Sequence, residues 1–303
     1  MIPPFSPLLL LLGTAASTVA VVRGLKKKSL SKTGAVAAFA VGTLSVATGL
    51  RGFVLLFFYF IGSAATKHEK ARKEARDATA AEGSQRGPAQ VLACSALAVM
   101  VSLYHVWTCG AEKVIAFSTK QNENGVDMDD DDDNTLASTL ACAVLAHHAT
   151  CLADTLASEL GMLSPDRPVL VTAPLRIVPV GTNGGVTPWG IWCSMAGGFL
   201  MGLSTLAMDY LSGLPLQKTS NLLVYSTICG LVGSWLDSLL GAVFQATYYD
   251  TDTKKVHHER TSSQSLQHIS GYNILTNVQV NLVSIILTMA IGAWVLGPFV
   301  FQF

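Results

Sequence analysis

The segment LVYSTICGLVGSWLDSLLGAVFQ, residues 223–245, decides the fold class of this 303-residue chain. It is apolar over more than the roughly 20 residues that a helix needs to cross a bilayer. Small and polar residues recur along it every three or four positions, at Gly230, Gly233, Ser234, Asp237, Gly241 and Gln245. These positions share one helix face, which must face other helices because a carboxyl group exposed to lipid is costly. The segment therefore predicts one helix of a membrane bundle with a polar interior.

The rest of the chain has the composition of an integral membrane protein. Half of its residues are hydrophobic, only 13% are charged, and the mean hydropathy is +0.44. Apolar runs predict about eight transmembrane helices in one all-α, polytopic membrane domain that spans residues 1–303. Their expected positions are 5–22, 34–50, 52–66, 89–109, 135–152, 185–211, 220–247 and 277–301.

The basic residues predict the orientation of this bundle. The loops at 23–33, 67–88, 153–181 and 248–275 share one face in an eight-helix topology, and they hold 16 of the 20 Lys and Arg residues. Basic loops favour the cytoplasmic side, so both termini are expected on the opposite side. The bilayer is the expected partner, and a net charge of zero gives no indication of nucleic-acid binding.

Two loops have unusual charge. Residues 67–88 predict a charged cytoplasmic-side segment with helical character, and residues 121–134 predict an acidic disordered loop, with a weak cation site as the alternative. The first apolar segment has no basic residue before it and a basic flank after it, which favours a retained helix over a signal peptide. Localisation in the endoplasmic reticulum or another endomembrane is the default expectation.

Three polar motifs fall on the basic-loop side. In ADTLASELG, residues 153–161, a continuing helix would place Asp154 and Ser158 on one face, with Glu159 on the adjacent strip. Carboxylates and hydroxyls in this arrangement can hold a hard cation such as Mg²⁺. The same spacing also fits an ordinary helix end at the headgroup level.

The second motif is a glycine-rich loop before an apolar helix. Its members are Gly181, Thr182, Asn183, Gly184 and Gly185. Backbone N–H groups in such a loop, together with a helix N-terminus, favour an anion such as a phosphate. A plain turn that caps the helix is the alternative, and the sequence lacks the Walker pattern.

The third motif is Asp237, whose position inside an apolar helix indicates a functional role, with a helix–helix hydrogen bond as the alternative. Asn277 and Asn281, one turn apart at the start of the last helix, are possible polar ligands or interhelical donors.

These residues carry a resemblance to a known family. The stretches FFYFIGSAATKHEKARK, GSQRGPAQVLAC, ADTLASELGMLS, VPVGTNGGVTPWG, DSLLGAVFQATYYD and ISGYNILTNVQVNLVS occur in an order that resembles the transmembrane protein 19 family, which includes the plant phytyl-phosphate kinase. The resemblance covers about 30–290. The acidic segment at 121–134 looks like an insertion, and Ala153 stands where relatives often carry Gly.

The resemblance implies a membrane enzyme that transfers a phosphoryl group from a nucleoside triphosphate, CTP or ATP, to an isoprenoid monophosphate. It implies that Asp154, Glu159 and Asp237 organise Mg²⁺ and the triphosphate, and that the 181–185 loop cradles phosphate. Lys67 and Arg86 are candidate phosphate clamps or ordinary flanking charges. Such a reaction needs positioning and charge neutralisation, with no nucleophile from the protein.

Two other functions fit the same sequence. A transporter or lipid scramblase would also use an intramembrane acid and a glycine-interrupted helix, but its polar groups should lie near the bilayer centre with access from both faces. A non-catalytic membrane scaffold would bind neither nucleotide nor Mg²⁺.

Overall fold

The fold is a helical bundle with two small sheets at one end. The computed structural model describes residues 6–78, 85–110, 113, 115, 131–215, 219–260 and 265–303. The helices are α1 (Pro7–Lys26), α2 (Lys32–Thr48), α3 (Phe53–Lys67), α4 (Lys70–Glu74), α5 (Pro88–Ala93), α6 (Ala96–Cys109), α7 (Asp131–Gly161), α8 (Pro188–Leu211), α9 (Thr219–Phe244), α10 (Asn277–Ile291) and α11 (Gly297–Phe301). A 3-10 turn, Leu50–Gly52, precedes α3, and a π-helical turn, Gly292–Leu296, joins α10 to α11.

The described residues confirm the all-α membrane fold. Six helical stretches are long and apolar enough to cross a membrane: Pro7–Lys26, Leu50–Lys67, Thr135–Gly161, Pro188–Leu211, Thr219–Phe244 and Asn277–Phe301. Two shorter apolar helices, α2 and α6, complete a set of eight that matches the predicted number.

Helix α7 lies at the centre of the bundle and packs against α3, α6, α8, α9 and α10. Its residues Cys142, Ala146, Ala149 and Leu152 are completely buried. Small side chains along α7 allow this many neighbours, because each partner helix can approach its backbone closely.

Glycines bring α8 into direct backbone contact with α7 and α9. A Cβ atom on Gly197 would lie 2.6 Å from the Ala153 Cα, and one on Gly198 would lie 2.5 Å from the Ser226 carbonyl oxygen. A Cβ on Gly230 would lie 2.8 Å from the Gly198 Cα. The backbones of α7, α8 and α9 are therefore in contact at the level of these residues, with no space between the helices.

Several predicted helix boundaries are wrong. Helix α7 continues to Gly161 instead of ending at 152. Asp154 and Glu159 line a polar cavity inside the bundle, so the helix does not have to end for these acids to reach polar surroundings. The predicted helix 89–109 is interrupted at Cys94 and Ser95, where Ser95 has φ −150° and its Oγ donates to the Val91 carbonyl.

Two small sheets form at the basic-loop end of the bundle, where the all-α prediction has only loops and helix ends. One sheet has the order β2-β1-β3, from β1 (Val169–Leu170), β2 (Ala173–Ile177) and β3 (Gly185–Val186). The other has the order β5-β4-β6, from β4 (Thr247–Asp250), β5 (Lys255–His257) and β6 (Leu266–Ser270). All the pairings are antiparallel.

The charged segment 67–88 is ordered against the bundle over its described part. It contains α4, and its backbone bonds to the second sheet where the Ala78 amide donates to the Val256 carbonyl at 3.1 Å. Its other end is held where the Arg86 amide donates to the Ser29 carbonyl at 3.0 Å. The predicted disordered loop 121–134 lies outside the described residues except for residues 131–134, which are the first turn of α7.

A buried ion pair joins two helix ends remote from the sheets. Arg51 Nε donates to Asp209 Oδ1 at 2.5 Å, and a second guanidinium nitrogen donates to Oδ2 at 3.0 Å. Only 14% and 7% of the two side chains are exposed. This bidentate contact holds the turn before α3 to the end of α8.

Candidate functional site

A large cavity lies at the sheet-bearing end of the bundle, with a volume of about 2190 Å³. All four basic-side loops contribute to its wall. Every residue selected from the sequence lines this one cavity: Lys67, Arg86, Asp154, Ser158, Glu159, Gly181, Thr182, Asn183, Gly184, Gly185, Asp237, Asn277 and Asn281. The fold thus brings together all the candidate site residues, whose chemical roles stay predictions.

Asp154 and Asp237 form the acidic centre of the cavity. Asp154 comes from α7 and Asp237 from α9, and both carboxyl groups line the cavity, close enough for their charges to interact. Both side chains are half-buried, because they open into the cavity rather than into packed protein. Two carboxylates this close repel each other unless a proton or a cation lies between them.

Helix α10 holds the Asp237 carboxylate in place. Ser284 Oγ donates to Asp237 Oδ2 at 3.1 Å. With its amide oriented by its partners, Asn281 donates to the same oxygen at 3.1 Å and to the Asn277 carbonyl at 2.9 Å. Asn281 therefore makes an interhelical hydrogen bond to Asp237, which is the alternative interpretation of this residue, and Asn277 takes part through its backbone carbonyl. A role of either residue as a polar ligand stays a prediction.

Glu159 is not a member of the acidic centre. Its Oε2 accepts a hydrogen bond of 2.6 Å from Lys73 Nζ, which also donates to the Ala65 and Thr66 carbonyls at 3.0 and 2.7 Å. The Lys73 side chain is only 3% exposed. This lysine was not selected from the sequence, although it lies in the charged segment expected on the same side as Glu159.

The residues fit Mg²⁺ only in part. Among the described residues, no group of three or more His, Cys, Asp or Glu side chains is placed to hold a metal ion. The three-carboxylate centre predicted from Asp154, Glu159 and Asp237 is therefore not formed, because Lys73 neutralises Glu159. The facing oxygens of Asp154 and Asp237 are the chemistry that a hard cation prefers, with further ligands from phosphate or water.

The glycine-rich loop is a tight turn packed on α9. Gly181 and Gly184 have φ +94° and +74°, and a Cβ on Gly184 would lie 2.3 Å from the Ala242 Cβ. Thr187 caps the following helix, since its side chain accepts from the Gly190 amide at 3.0 Å. The loop thus fixes the start of α8 against α9 beside Asp237.

Most of the loop amides are already engaged. The amides of Thr182 and Gly185 donate to the Pro179 and Thr182 carbonyls, and the Asn183 amide donates to Thr247 Oγ1 at 3.2 Å. Three of the five amides are therefore not available to an anion, and the role of the 181–185 loop as a phosphate cradle stays a prediction. Gly181 and Gly184 supply the backbone donors that remain within the described part of the loop.

The outer wall contains a polar chain that the sequence did not reveal. Asn183 Nδ2 lies 3.2 Å from His258 Nδ1, and His258 Nε2 lies 3.4 Å from Asp77 Oδ2. It ties the glycine-rich loop to the second sheet and to the charged segment. Nothing in the local sequence signals a contact between residues 181 positions apart.

Cationic side chains line the side of the cavity formed by α1, α3 and α5. Lys67 Nζ donates to the Lys27 carbonyl at 3.0 Å and lies near Arg23, Lys27 and Lys70. Arg86 reaches further in: a Cβ on Gly62 would lie 3.5 Å from its guanidinium and 3.4 Å from Thr155 Cγ2, next to Asp154. The cavity therefore places positive side chains opposite and beside its acidic centre.

Comparison with known proteins gives relatives along nearly the whole chain. The chain is 34% identical to Protein PGR of Arabidopsis thaliana over 285 residues, which covers 92% of this chain and 93% of the relative. It is 29% identical to an uncharacterized membrane protein of Synechocystis, over 72% of this chain and 73% of the relative. A shorter match, 29% identical, covers 57% of this chain and 45% of Protein VTE6, chloroplastic, of Arabidopsis thaliana.

No solved structure matches this chain. The family model described as integral membrane protein DUF92 matches residues 15–289. The match includes every residue of the candidate site. The chain therefore belongs to the DUF92 family of integral membrane proteins.

Proposed function

We propose that this protein is a membrane-embedded kinase that transfers a phosphoryl group from a nucleoside triphosphate to an isoprenoid monophosphate. CTP is the expected donor and ATP the alternative. The observation that carries the proposal is the facing pair Asp154–Asp237 at the centre of a cavity lined on another side by Lys27, Lys67 and Arg86. Acids that organise a cation and bases that neutralise phosphates are the two requirements of phosphoryl transfer.

The residues of this chain would act through charge and position. A phosphate oxygen of the acceptor, already ionised near neutral pH, attacks the terminal phosphorus, and the nucleoside diphosphate leaves. Arg86 and Lys67 would neutralise phosphate oxygens of donor and acceptor. Asp154 and Asp237 would hold Mg²⁺, which supplies charge neutralisation to the triphosphate when bound. A general base is unnecessary for such an acceptor.

Similarity adds support from outside the cavity. The sequence resembles a family that includes a phytyl-phosphate kinase, and it matches Protein VTE6 over the part of the chain reported above. The relative's name places that protein in the chloroplast. For this chain, an endomembrane location remains the proposal.

A carrier or scramblase is the competing function. Its best support is the second polar group, Arg51–Asp209, at the other end of the bundle. The close contacts at Gly197, Gly198 and Gly230 favour the kinase instead, because they close the centre of the bundle between the two ends. A carrier should move phosphorylated lipid between leaflets of a vesicle without consuming nucleotide.

The experiment that tests the proposal is phosphate transfer from labelled CTP and ATP to phytyl, farnesyl and geranylgeranyl monophosphates, by purified protein in detergent with Mg²⁺. Formation of the diphosphate is expected, with losses of at least about 10²-fold in Asp154→Asn and Asp237→Asn. Asp252→Asn, on the exposed hairpin turn, is the matched control and should keep its activity. Folded wild-type protein that binds no nucleotide and forms no diphosphate would overturn the proposal.

A further inference from the structure

One side of the cavity wall is apolar and lies between α8 and α9. Ile191 and Ser194 of α8 and Leu231, Ser234 and Trp235 of α9 line it. Ser194 donates to Ser234 at 2.9 Å, and both side chains are buried. This strip, here called the α8–α9 groove, continues from the polar part of the cavity beside Asp237.

The groove is open toward the outside of the bundle. Ile191 is 45% exposed and Trp235 is 53% exposed, although both line the cavity. These residues lie in helices that are long and apolar enough to cross the membrane. Their exposed surfaces therefore meet lipid, and the groove connects the polar cavity sideways with the bilayer.

The groove is also short. At Gly198 and Gly230 the two helix backbones touch, which closes the space between them. Gly198 lies eight positions after Gly190, which is at the cavity, and at a rise of 1.5 Å per residue the two are about 12 Å apart along α8. An extended isoprenoid tail of three or four units is longer than this space, so its far end has to leave the groove sideways.

We propose that the α8–α9 groove binds the part of a lipid tail next to its phosphate, and that the tail then passes between Ile191 and Trp235 into the bilayer. This assignment rests on the proposed function, since the occupant is the acceptor whose phosphate lies in the cavity. The continuity of the groove with the acidic centre favours this occupant over an annular phospholipid. The protein then selects the first units of the tail and does not measure its length.

A binding experiment tests the groove without catalysis. The probe is an alkyl phosphonate brominated on the carbons near its phosphonate, which quenches the fluorescence of an indole that it touches. Quenching that farnesyl monophosphate displaces is expected in wild-type protein and in Trp192→Phe, and it should disappear in Trp235→Phe. Trp192 is the matched control, because it is 65% exposed on α8 and does not line the cavity. Displaceable quenching that survives in Trp235→Phe would overturn the proposal.

A kinetic experiment tests the selection. Ile191→Trp narrows the mouth of the groove at an exposed position, where folding tolerates the change. The KM values for farnesyl, geranylgeranyl and phytyl monophosphates should rise together by about 10-fold or more, which corresponds to a lost contact of about 1.4 kcal/mol. The KM for the nucleotide should not change, and the control variant Trp192→Ala should keep the wild-type KM values. Unchanged acceptor KM values, or an effect graded by tail length, would contradict the groove.

The quenching experiment and the phosphate-transfer assay together distinguish the groove proposal from the kinase proposal. If wild-type protein transfers no phosphate but shows quenching that depends on Trp235, the groove proposal stands and the kinase proposal fails. Diphosphate formation without this quenching retains the kinase and loses the groove.

Discussion

Lys73 Nζ lies 2.6 Å from Glu159 Oε2, and this contact joins the charged segment before α5 to the end of α7. Lys73 also donates to the Ala65 and Thr66 carbonyls, so it caps the C-terminal end of α3 as well. Because of this contact, we infer that Glu159 stabilises the cavity wall.

Glu159→Gln should therefore lower stability more than it alters ion binding. Loss of the carboxylate leaves a buried ammonium with two carbonyl partners, at an expected cost of about 3 kcal/mol. The free energy of unfolding, measured by titration with sodium dodecyl sulfate in mixed micelles, checks this. Glu74→Gln breaks the exposed pair with Lys70 and should cost under about 0.5 kcal/mol. Equal costs for the two variants would contradict the buried role.

Gly184→Ala should damage both stability and activity, because the new Cβ would lie 2.3 Å from Ala242 Cβ and the φ of +74° disfavours alanine. We expect a cost of more than about 2 kcal/mol. Gly213→Ala isolates the backbone contribution, since Gly213 has φ +73° and a Cβ there would meet no atom within 4 Å. It should cost about 1 kcal/mol in the same titration. Equal costs for Gly184→Ala and Gly213→Ala would contradict this prediction, because they would mean that the loop moves to accommodate the new Cβ without disturbing α9.

Ser284→Ala should reduce turnover about 10-fold while the KM for nucleotide stays the same. Ser284 and Asn281 hold the same oxygen of Asp237, so loss of the Ser284 hydroxyl loosens the position of the carboxylate without removing its charge. Thr288→Val, one turn further along α10, removes only a bond to the Ser284 carbonyl and is the control. An equal fall in both variants would assign the effect to α10 as a whole.

The β4–β5 turn should lose order in acid. The hydroxyl of Ser265 and the amides of Asp252 and Thr253 donate to Asp250, and they lower the pKa of its carboxyl to about 2. A lowered pKa stabilises the folded state above the unfolded value of about 3.9, and this stability is lost as the pH falls toward 2. Hydrogen exchange of the 247–257 amides, corrected for the intrinsic rate, should accelerate across that window. In Ser265→Ala the acceleration should be smaller and should be complete at a higher pH, because less of the lowering of the Asp250 pKa remains, and an unchanged profile would contradict the assignment.

The sequence was sufficient for the number of membrane helices and for selecting a set of residues that all line one cavity. Asp237 and Asp154 could be selected because acids inside apolar segments are rare and costly, and charge asymmetry placed both on one side. Contacts between distant residues could not be predicted, since no local pattern pairs Lys73 with Glu159 or Asn183 with His258. The break at Ser95 was also hidden, because no glycine or proline marks it and tertiary packing decides it. The short strands lack the length at which alternation becomes visible.

The Arg51–Asp209 pair has a consequence for the biogenesis of the protein. The two residues are 158 positions apart, so the guanidinium reaches the membrane long before its carboxylate has been synthesised. An unpaired Arg is held at the headgroup level by its hydration. We therefore expect the hairpin formed by α2 and α3 to take its final position only after α8 has entered the bilayer, so that the order of synthesis becomes an order of assembly.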